Sequence, residues 1–154
     1  MTMKKMIYLI FIFLLAEFAA NAQGIVKYAP EGFDAVQSAI PHGKIDTISY
    51  PSKTVGVNRK AIIYTPPGYS RKTKYPVLYL LHGIGGDQKE WLKNASPQVI
   101  LDNLYNEKKI EPMIVVMPNG RAMKDDRAIG NAFDSARVRA FATFEKDLLN
   151  ELIP

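Results

Sequence analysis

Apolar and polar positions along this chain follow two regimes, and the change between them falls at a proline pair. Lys44–Tyr50 and Asn58–Thr65 ("NRKAIIYT") are strand-like, and the turn residue Gly56 between them predicts an antiparallel pair. "TPPGYS" at Thr65–Ser70 closes the second strand, because proline cannot donate to a ladder and presets a turn. Beyond it the order becomes strand, helix, strand, helix. Val77–Leu81 and Met113–Met117 ("MIVVM") are short continuous apolar runs, as expected of parallel strands covered on both faces. Between them Ser96 and Pro97 supply an N-cap and a first-turn proline. Ile100, Leu101, Leu104 and Tyr105 form a stripe, and Lys108 and Lys109 are expected in the last turn. A second helix is marked by Phe141, Phe144, Leu148, Leu149 and Leu152 and ends at Pro154.

These elements predict an α/β fold: a mostly parallel sheet with helices on both faces and an antiparallel N-terminal edge. Two parallel and two edge strands would leave much of both helices' apolar faces uncovered, so the domain is expected to be incomplete at its C-terminus. Gln23–Gly43, broken by Pro30, Gly32, Pro41 and Gly43, reads as an irregular lead-in, and residues 44–154 as the N-terminal part of the domain. Residues 1–22 have a different pattern. Lys4 and Lys5 precede the apolar run Met6–Leu15, and Ala20-Asn21-Ala22 offers a small-x-small cleavage site, so an export signal is expected. The run falls well short of the roughly 20 residues that span a bilayer, which argues against a membrane anchor.

Composition narrows the picture. With 154 residues, 47% hydrophobic and 23% charged, the chain suits one globular domain. It has no cysteine, which excludes a disulfide framework, a lipid-anchored lipoprotein and thiolate metal ligands. The net charge of +5 comes from lysines and arginines scattered among acids, with no basic stripe, so nucleic-acid binding is not supported. Asp125, Asp126 and Asp134 lie in a long loop without the spacing of a calcium site, and no metal or cofactor is expected.

The chemistry-bearing stretch is "YPVLYLLHGIGGDQKEW", Tyr75–Trp91, where an apolar strand runs into a glycine-rich loop. A dinucleotide loop would need a third glycine opening directly into a helix, and a phosphate loop would end Gly-Lys-Ser/Thr; both features are missing. A third role is the oxyanion hole of acyl transfer, where backbone N–H groups stabilise the developing anion. Glycines would there allow a positive φ and close approach of substrate to the main chain.

At this point the residues resemble a known family. "YPVLYLLHGIGGDQKEW", "VILDNL", "PMIVVMPNGRA" and "FEKDLLNELIP" look like the N-terminal half of the esterase family that includes esterase D and the bacterial feruloyl esterases of carbohydrate esterase family 1. The resemblance implies an α/β-hydrolase that cleaves feruloyl or acetyl esters on plant xylan with a Ser-His-Asp triad. It further implies export from a bacterium, to periplasm or medium, and a xylanase fused to the domain or acting with it. The triad itself is expected beyond Pro154, since none of Ser38, Ser49, Ser52, Ser70, Ser96 or Ser135 lies in Gly-x-Ser-x-Gly. His42 and His82 both precede any position the family would use. An exported non-catalytic carbohydrate-binding module and an acyltransferase of the same fold are the alternative functions.

Within the chain, Ile84 and then Gly85 are the expected oxyanion-hole donors. His82 is expected to end the strand and brace the loop rather than act as a general base. Gly83 and Gly86 shape the loop, and Asp87 orients it or caps the segment leading to Trp91. Trp91 walls the acyl pocket or packs under the loop. Asn119 and Arg121 in "PNGRA" shape the site at the sheet's carboxyl edge, or form a turn with a solvated arginine.

Overall fold

The computed structural model describes residues 28–154, so the expected export signal at residues 1–22 and the start of the lead-in lie outside the described residues. The chain divides into two units, Met1–Glu31 and Gly32–Pro154, and the second carries the sheet. It contains β1 (Lys44–Ser52), β2 (Val57–Thr65), β3 (Val77–Tyr79), α1 (Glu90–Asn94), α2 (Pro97–Asn106), β4 (Ile114–Pro118) and α3 (Ser135–Asp147). A π-helical turn, Leu148–Leu152, follows.

The four strands lie in the order β1-β2-β4-β3. β1 pairs antiparallel with β2 from Lys44 opposite Thr65 to Ser52 opposite Val57, and β2 pairs antiparallel with β4. The parallel part is the β3–β4 pair, with Val77 opposite Ile114 and Tyr79 opposite Val116. The sheet is therefore mixed.

Neighbouring positions on the two central strands point to opposite faces. Ile62, Tyr64, Val115 and Met117 form a core on one face, packed against Trp91 and Leu92 of α1 and Leu101 and Tyr105 of α2. Tyr50, Ala61 and Val116 form the core of the other face, with Leu152 against them. Helices thus cover both faces.

Several local expectations are corrected. β3 is shorter than Val77–Leu81 and lies at the sheet edge; Val77 and Leu78 are 45% and 44% exposed, because β3 has a strand on one side only among the described residues. Ser96 does precede α2, but with φ 42° and no side-chain capping bond, so Pro97 supplies the start signal. α2 ends at Asn106; Lys108 follows it in a left-handed turn at φ 56°, so neither Lys108 nor Lys109 lies in the last helical turn. α3 begins at Ser135, capped by Asp134, whose Oδ1 accepts the Ala136 N–H at 2.9 Å. At its end the Ile153 N–H reaches back to Leu148 O at 3.0 Å, an i→i+5 bond. This widened turn shifts the helical phase, so that Leu152 meets the sheet while Leu149 is 55% exposed.

Candidate functional site

Because β3 and β4 are parallel, the loops that follow them leave from the same end of the sheet. The first loop carries His82–Asp87 and the second Asn119–Arg121. Sequence reasoning names both loops; the bonds between them come only with the fold.

His82 joins the two. Its Nε2 accepts the Gly120 N–H at 2.9 Å, which places the ring hydrogen on Nδ1, and Nδ1 donates to Gly83 O at 2.6 Å. The ring also meets the Phe141 edge of α3, with centroids 5.8 Å apart. Both nitrogens are committed to backbone, so His82 braces the loop and has no free lone pair for general-base work. Gly120 is a glycine because a Cβ there would stand 2.9 Å from the Phe141 ring.

Arg121 is the second link, and it is not a solvated turn residue: it is 1% exposed. Its Nη2 donates to Ile84 O at 2.8 Å and Gly86 O at 3.2 Å, its Nη1 donates to Asp126 O at 3.1 Å, and the guanidinium lies 5.5 Å from the Phe141 ring centre. Burial, and then repulsion from Arg137, pull its pKa below the usual arginine value. Asn119, also buried, accepts the Arg121 N–H at 2.9 Å and donates to Gln88 Oε1 at 3.1 Å and Asp126 O at 2.9 Å.

These contacts fix where the loop's N–H groups point. In a planar trans peptide the carbonyl and the following N–H point opposite ways. Arg121 holds Ile84 O, so the Gly85 N–H is turned away from the guanidinium. Gly83 O accepts from His82 and, at 2.9 Å, from the Gly86 N–H, so the Ile84 N–H is turned away from that cluster. Among the described residues, neither the Ile84 nor the Gly85 N–H meets a protein acceptor.

The glycines depart from the expected positive φ. None of Gly83, Gly85 or Gly86 has a left-handed φ. Instead a Cβ at Gly86 would collide with the Glu90 carboxylate, whereas a Cβ at Gly85 would meet nothing within 4 Å, so bare backbone faces open space there. Glu90 also supports the loop from α1, its Oε1 lying 3.4 Å from the Gly83 N. Asp87 Oδ1 accepts the Lys89 N–H at 2.8 Å and so shapes the approach to α1 without being its N-cap. Trp91 packs on the Tyr64–Met117 core, and its indole Nε1 donates to Leu81 O at 2.9 Å, holding the strand end from below.

Behind the loops lies a charged anchor that sequence reasoning missed. Arg59 of β2 is 2% exposed; it pairs with Asp147 of α3 through Nη1, and its Nη2 donates to Asn119 O at 2.5 Å and Arg121 O at 3.2 Å. Tyr50 donates to the same Asp147 oxygen at 2.7 Å, and burial followed by that bond raises its pKa. One signal was available: Asp147 follows Ala140 and Phe144 on the buried stripe of α3, and an acid there requires a buried donor.

In front, a cleft of about 390 Å³ opens between Asp87, Gln88 and Lys89 of the first loop and Asp126, Arg127 and Ile129 of the second. Burial raises the Asp126 pKa against the opposing pull of Arg59, while a bidentate pair with Arg127 (2.7 and 2.9 Å) lowers exposed Asp125 to about 2. Among the described residues no three His, Asp or Glu side chains converge as a metal site, and neither histidine is hydrogen-bonded to a serine.

The arrangement can donate two backbone N–H groups to an oxyanion. Residues 52–154 match the Esterase family model, described as "Putative esterase". The chain is 36% identical over 131 residues to an endo-1,4-beta-xylanase/feruloyl esterase of Xylanibacter ruminicola, covering 80% of this chain and 17% of that protein. It is 30% identical over 99 residues to endo-1,4-beta-xylanase Y of Acetivibrio thermocellus, covering 62% of this chain and 9% of that one. The structure of a family 1 ferulic acid esterase from the fungus Anaeromyces mucronatus, in complex with ferulic acid, is similar with a TM-score of 0.70 at 29% identity. That likeness covers 79% of this chain and 45% of the fungal one. The chain thus spans less than half the length of each of these relatives.

Proposed function

The chain belongs to the Esterase family and has an α/β-hydrolase fold, and from that premise we propose that it supplies the oxyanion-hole half of a secreted serine carboxylic-ester hydrolase. The observation that carries this reading is the pair of unpartnered N–H groups at Ile84 and Gly85, turned outward because His82 and Arg121 hold the flanking carbonyls. Gly85 is the better placed of the two, since its own surface is bare.

The substrate class is a feruloyl or acetyl ester on a xylan-type polysaccharide. What supports it is the likeness to proteins named as xylanases and feruloyl esterases, which also favours an attached or cooperating xylanase. Export to periplasm or medium is the matching location, addressed by the segment 1–22.

In this mechanism a serine, activated by a histidine and an acid, attacks the ester carbonyl. No described serine is hydrogen-bonded to a histidine, so this reading assigns none of the three roles to the described residues. The carbonyl oxygen becomes an anion that the Gly85 and Ile84 N–H groups stabilise, and loss of one such donor costs roughly 10²–10³ in rate. Asn119, Arg121, Gly83, Gly86, Asp87 and Trp91 hold the donors in place. Collapse of the intermediate expels the sugar hydroxyl, and water then releases the acyl group from the serine.

The test is expression of the protein from its natural coding sequence, followed by assay on methyl ferulate and acetylated xylan with and without a serine-directed phosphonate. Inhibitor-sensitive hydrolysis is expected, and residues 23–154 alone should hydrolyse neither substrate. Turnover untouched by the inhibitor, or a folded protein with no ester turnover, would sink the proposal.

A further inference from the structure

We propose that a recess at the opposite end of the sheet binds an acidic sugar, a uronate residue carried on a polysaccharide chain. Its polysaccharide context rests on the esterase reading; its chemistry rests on the side chains. The recess, about 220 Å³, is lined by His42, Lys44, Thr65, Pro66, Gly68 and Tyr69. It lies away from the glycine loop: Thr65 ends β2 beyond the Tyr64–Val115 pairing, near the start of β4, while the loops leave the far ends of β3 and β4.

Three features make it a prepared site. The first is an aromatic wall. Pro66, Pro67, Gly68 and Tyr69 form a turn closed by the Tyr69 N–H on Pro66 O at 3.1 Å. Gly68 sits at φ 71°, the left-handed third position of a type II turn that follows a proline. The turn sets Tyr69 against the Tyr75 ring at 5.3 Å, and Tyr75 is held in turn by accepting the Ser70 N–H at 3.1 Å. Tyr69 is nevertheless 40% exposed. Such a ring offers a face for the C–H side of a sugar at little entropic cost.

The second feature is an oriented imidazole. His42 Nδ1 lies 3.0 Å from Asp102 Oδ2, and the buried carboxylate also accepts the Gly43 N–H at 2.9 Å and the Tyr64 hydroxyl at 2.6 Å. Asp102 is thus held on both oxygens, and the His42 side chain stays 45% exposed with no protein partner at Nε2 among the described residues. The third is a cation beside a hydroxyl. Lys44 stands directly across the ladder from Thr65, and no acid pairs with Lys44 among the described residues.

Together these offer a ring face, a hydroxyl, an imidazole nitrogen and an ammonium, and the carboxylate that holds His42, that of Asp102, is buried. A neutral pentose would use the ring and leave Lys44 idle. A free phosphate would use Lys44 and His42 and leave Tyr69 idle. A uronate uses both, through stacking on Tyr69 and a charge-assisted bond that Lys44 donates to its carboxylate.

The experiment titrates the protein, expressed from its natural coding sequence, with a glucuronate-substituted xylo-oligosaccharide, its unsubstituted counterpart and inorganic phosphate, read by calorimetry. The substituted sugar should bind at least about tenfold more tightly than either control. Tyr69→Ala and Lys44→Gln, both exposed positions, should each weaken it about tenfold or more while ester turnover stays unchanged. Equal binding of all three ligands, no binding at all, or no effect of either substitution would overturn the site. Turnover measured on the same samples tests the esterase reading separately, since uronate binding without hydrolysis would refute that reading alone.

Discussion

Replacing Arg121 by methionine should separate the positioning of the oxyanion donors from simple packing. Methionine keeps much of the length and volume of the side chain but removes every donor. The structure gives Arg121 three bonds to backbone oxygens, at 2.8 Å to Ile84, 3.2 Å to Gly86 and 3.1 Å to Asp126. Bonds from a charged donor contribute about 1.5–3 kcal/mol each, but most of that gross gain offsets the cost of burying the guanidinium. Ile84 and Gly86 are only partly buried, so water can replace the donor to their carbonyls. The net loss should be about 2 kcal/mol, read as a lower urea midpoint at unchanged slope. The kinetic effect should be distinct. With Ile84 O released, the Gly85 N–H is no longer aimed, and kcat on methyl ferulate should fall about 10- to 100-fold with KM little changed, somewhat less than outright loss of a donor. Arg121→Lys should recover part of the stability and little of kcat, because an ammonium lacks the planar fork whose Nη1 is fixed on Asp126 O while Nη2 meets the Ile84 and Gly86 carbonyls. If Arg121→Met lowers the urea midpoint but leaves kcat within twofold, the clamp is structural only. An unchanged midpoint would refute the energetic reasoning as well.

Asp147→Asn should destabilise the fold by about 3–5 kcal/mol, because Arg59 keeps its charge in a buried site; adding Arg59→Met should recover part of that loss in urea unfolding, since the stranded cation is then gone. Gly85→Ala should leave the thermal midpoint nearly unchanged, as its φ is not left-handed and its Cβ meets nothing, yet ester turnover should fall at least about tenfold as the methyl covers the donor. Gly120→Ala should do the reverse in the thermal melt, costing about 1–3 kcal/mol through the Phe141 contact. Tyr64 has its pKa raised above the ordinary 10.0, chiefly by burial and then by its bond to Asp102. Its stabilising contribution is therefore complete below pH 10 and is lost as pH rises above it, because the unfolded chain ionises first. Alkaline unfolding followed by tyrosinate absorbance should begin near that pH and be shallower in Tyr64→Phe.

The sequence alone determined that Lys44–Tyr50 and Asn58–Thr65 pair antiparallel and that Val77–Leu81 and Met113–Met117 run parallel, while the antiparallel pairing of β2 with β4 came only with the fold. The apolar runs, the Pro66-Pro67-Gly68 turn, Gly56 and Pro97 are local signals, and a turn or a helix start depends on a few neighbouring residues. The resemblance of the His82–Asp87 and Pro118–Ala122 stretches to esterases was legible for the same reason, since each motif is contiguous. What each motif residue does was not legible. A solvated Arg121 and a clamping Arg121 have the same sequence neighbours; only the approach of Ile84, Gly86 and Phe141, distant along the chain, decides between them. The same holds for Arg59, whose charge is tolerable in a strand interior only because α3 brings Asp147 to it. The loop glycines show the limit most clearly. Sequence reasoning allowed them a positive φ and a close approach to the main chain; the fold shows no left-handed φ at Gly83, Gly85 or Gly86, leaves Gly85 facing open space, and needs a glycine at position 86 because of where Glu90 lies. Periodicity and turn chemistry are properties of short segments, but burial, charge pairing and the direction of a free N–H are properties of packed ones.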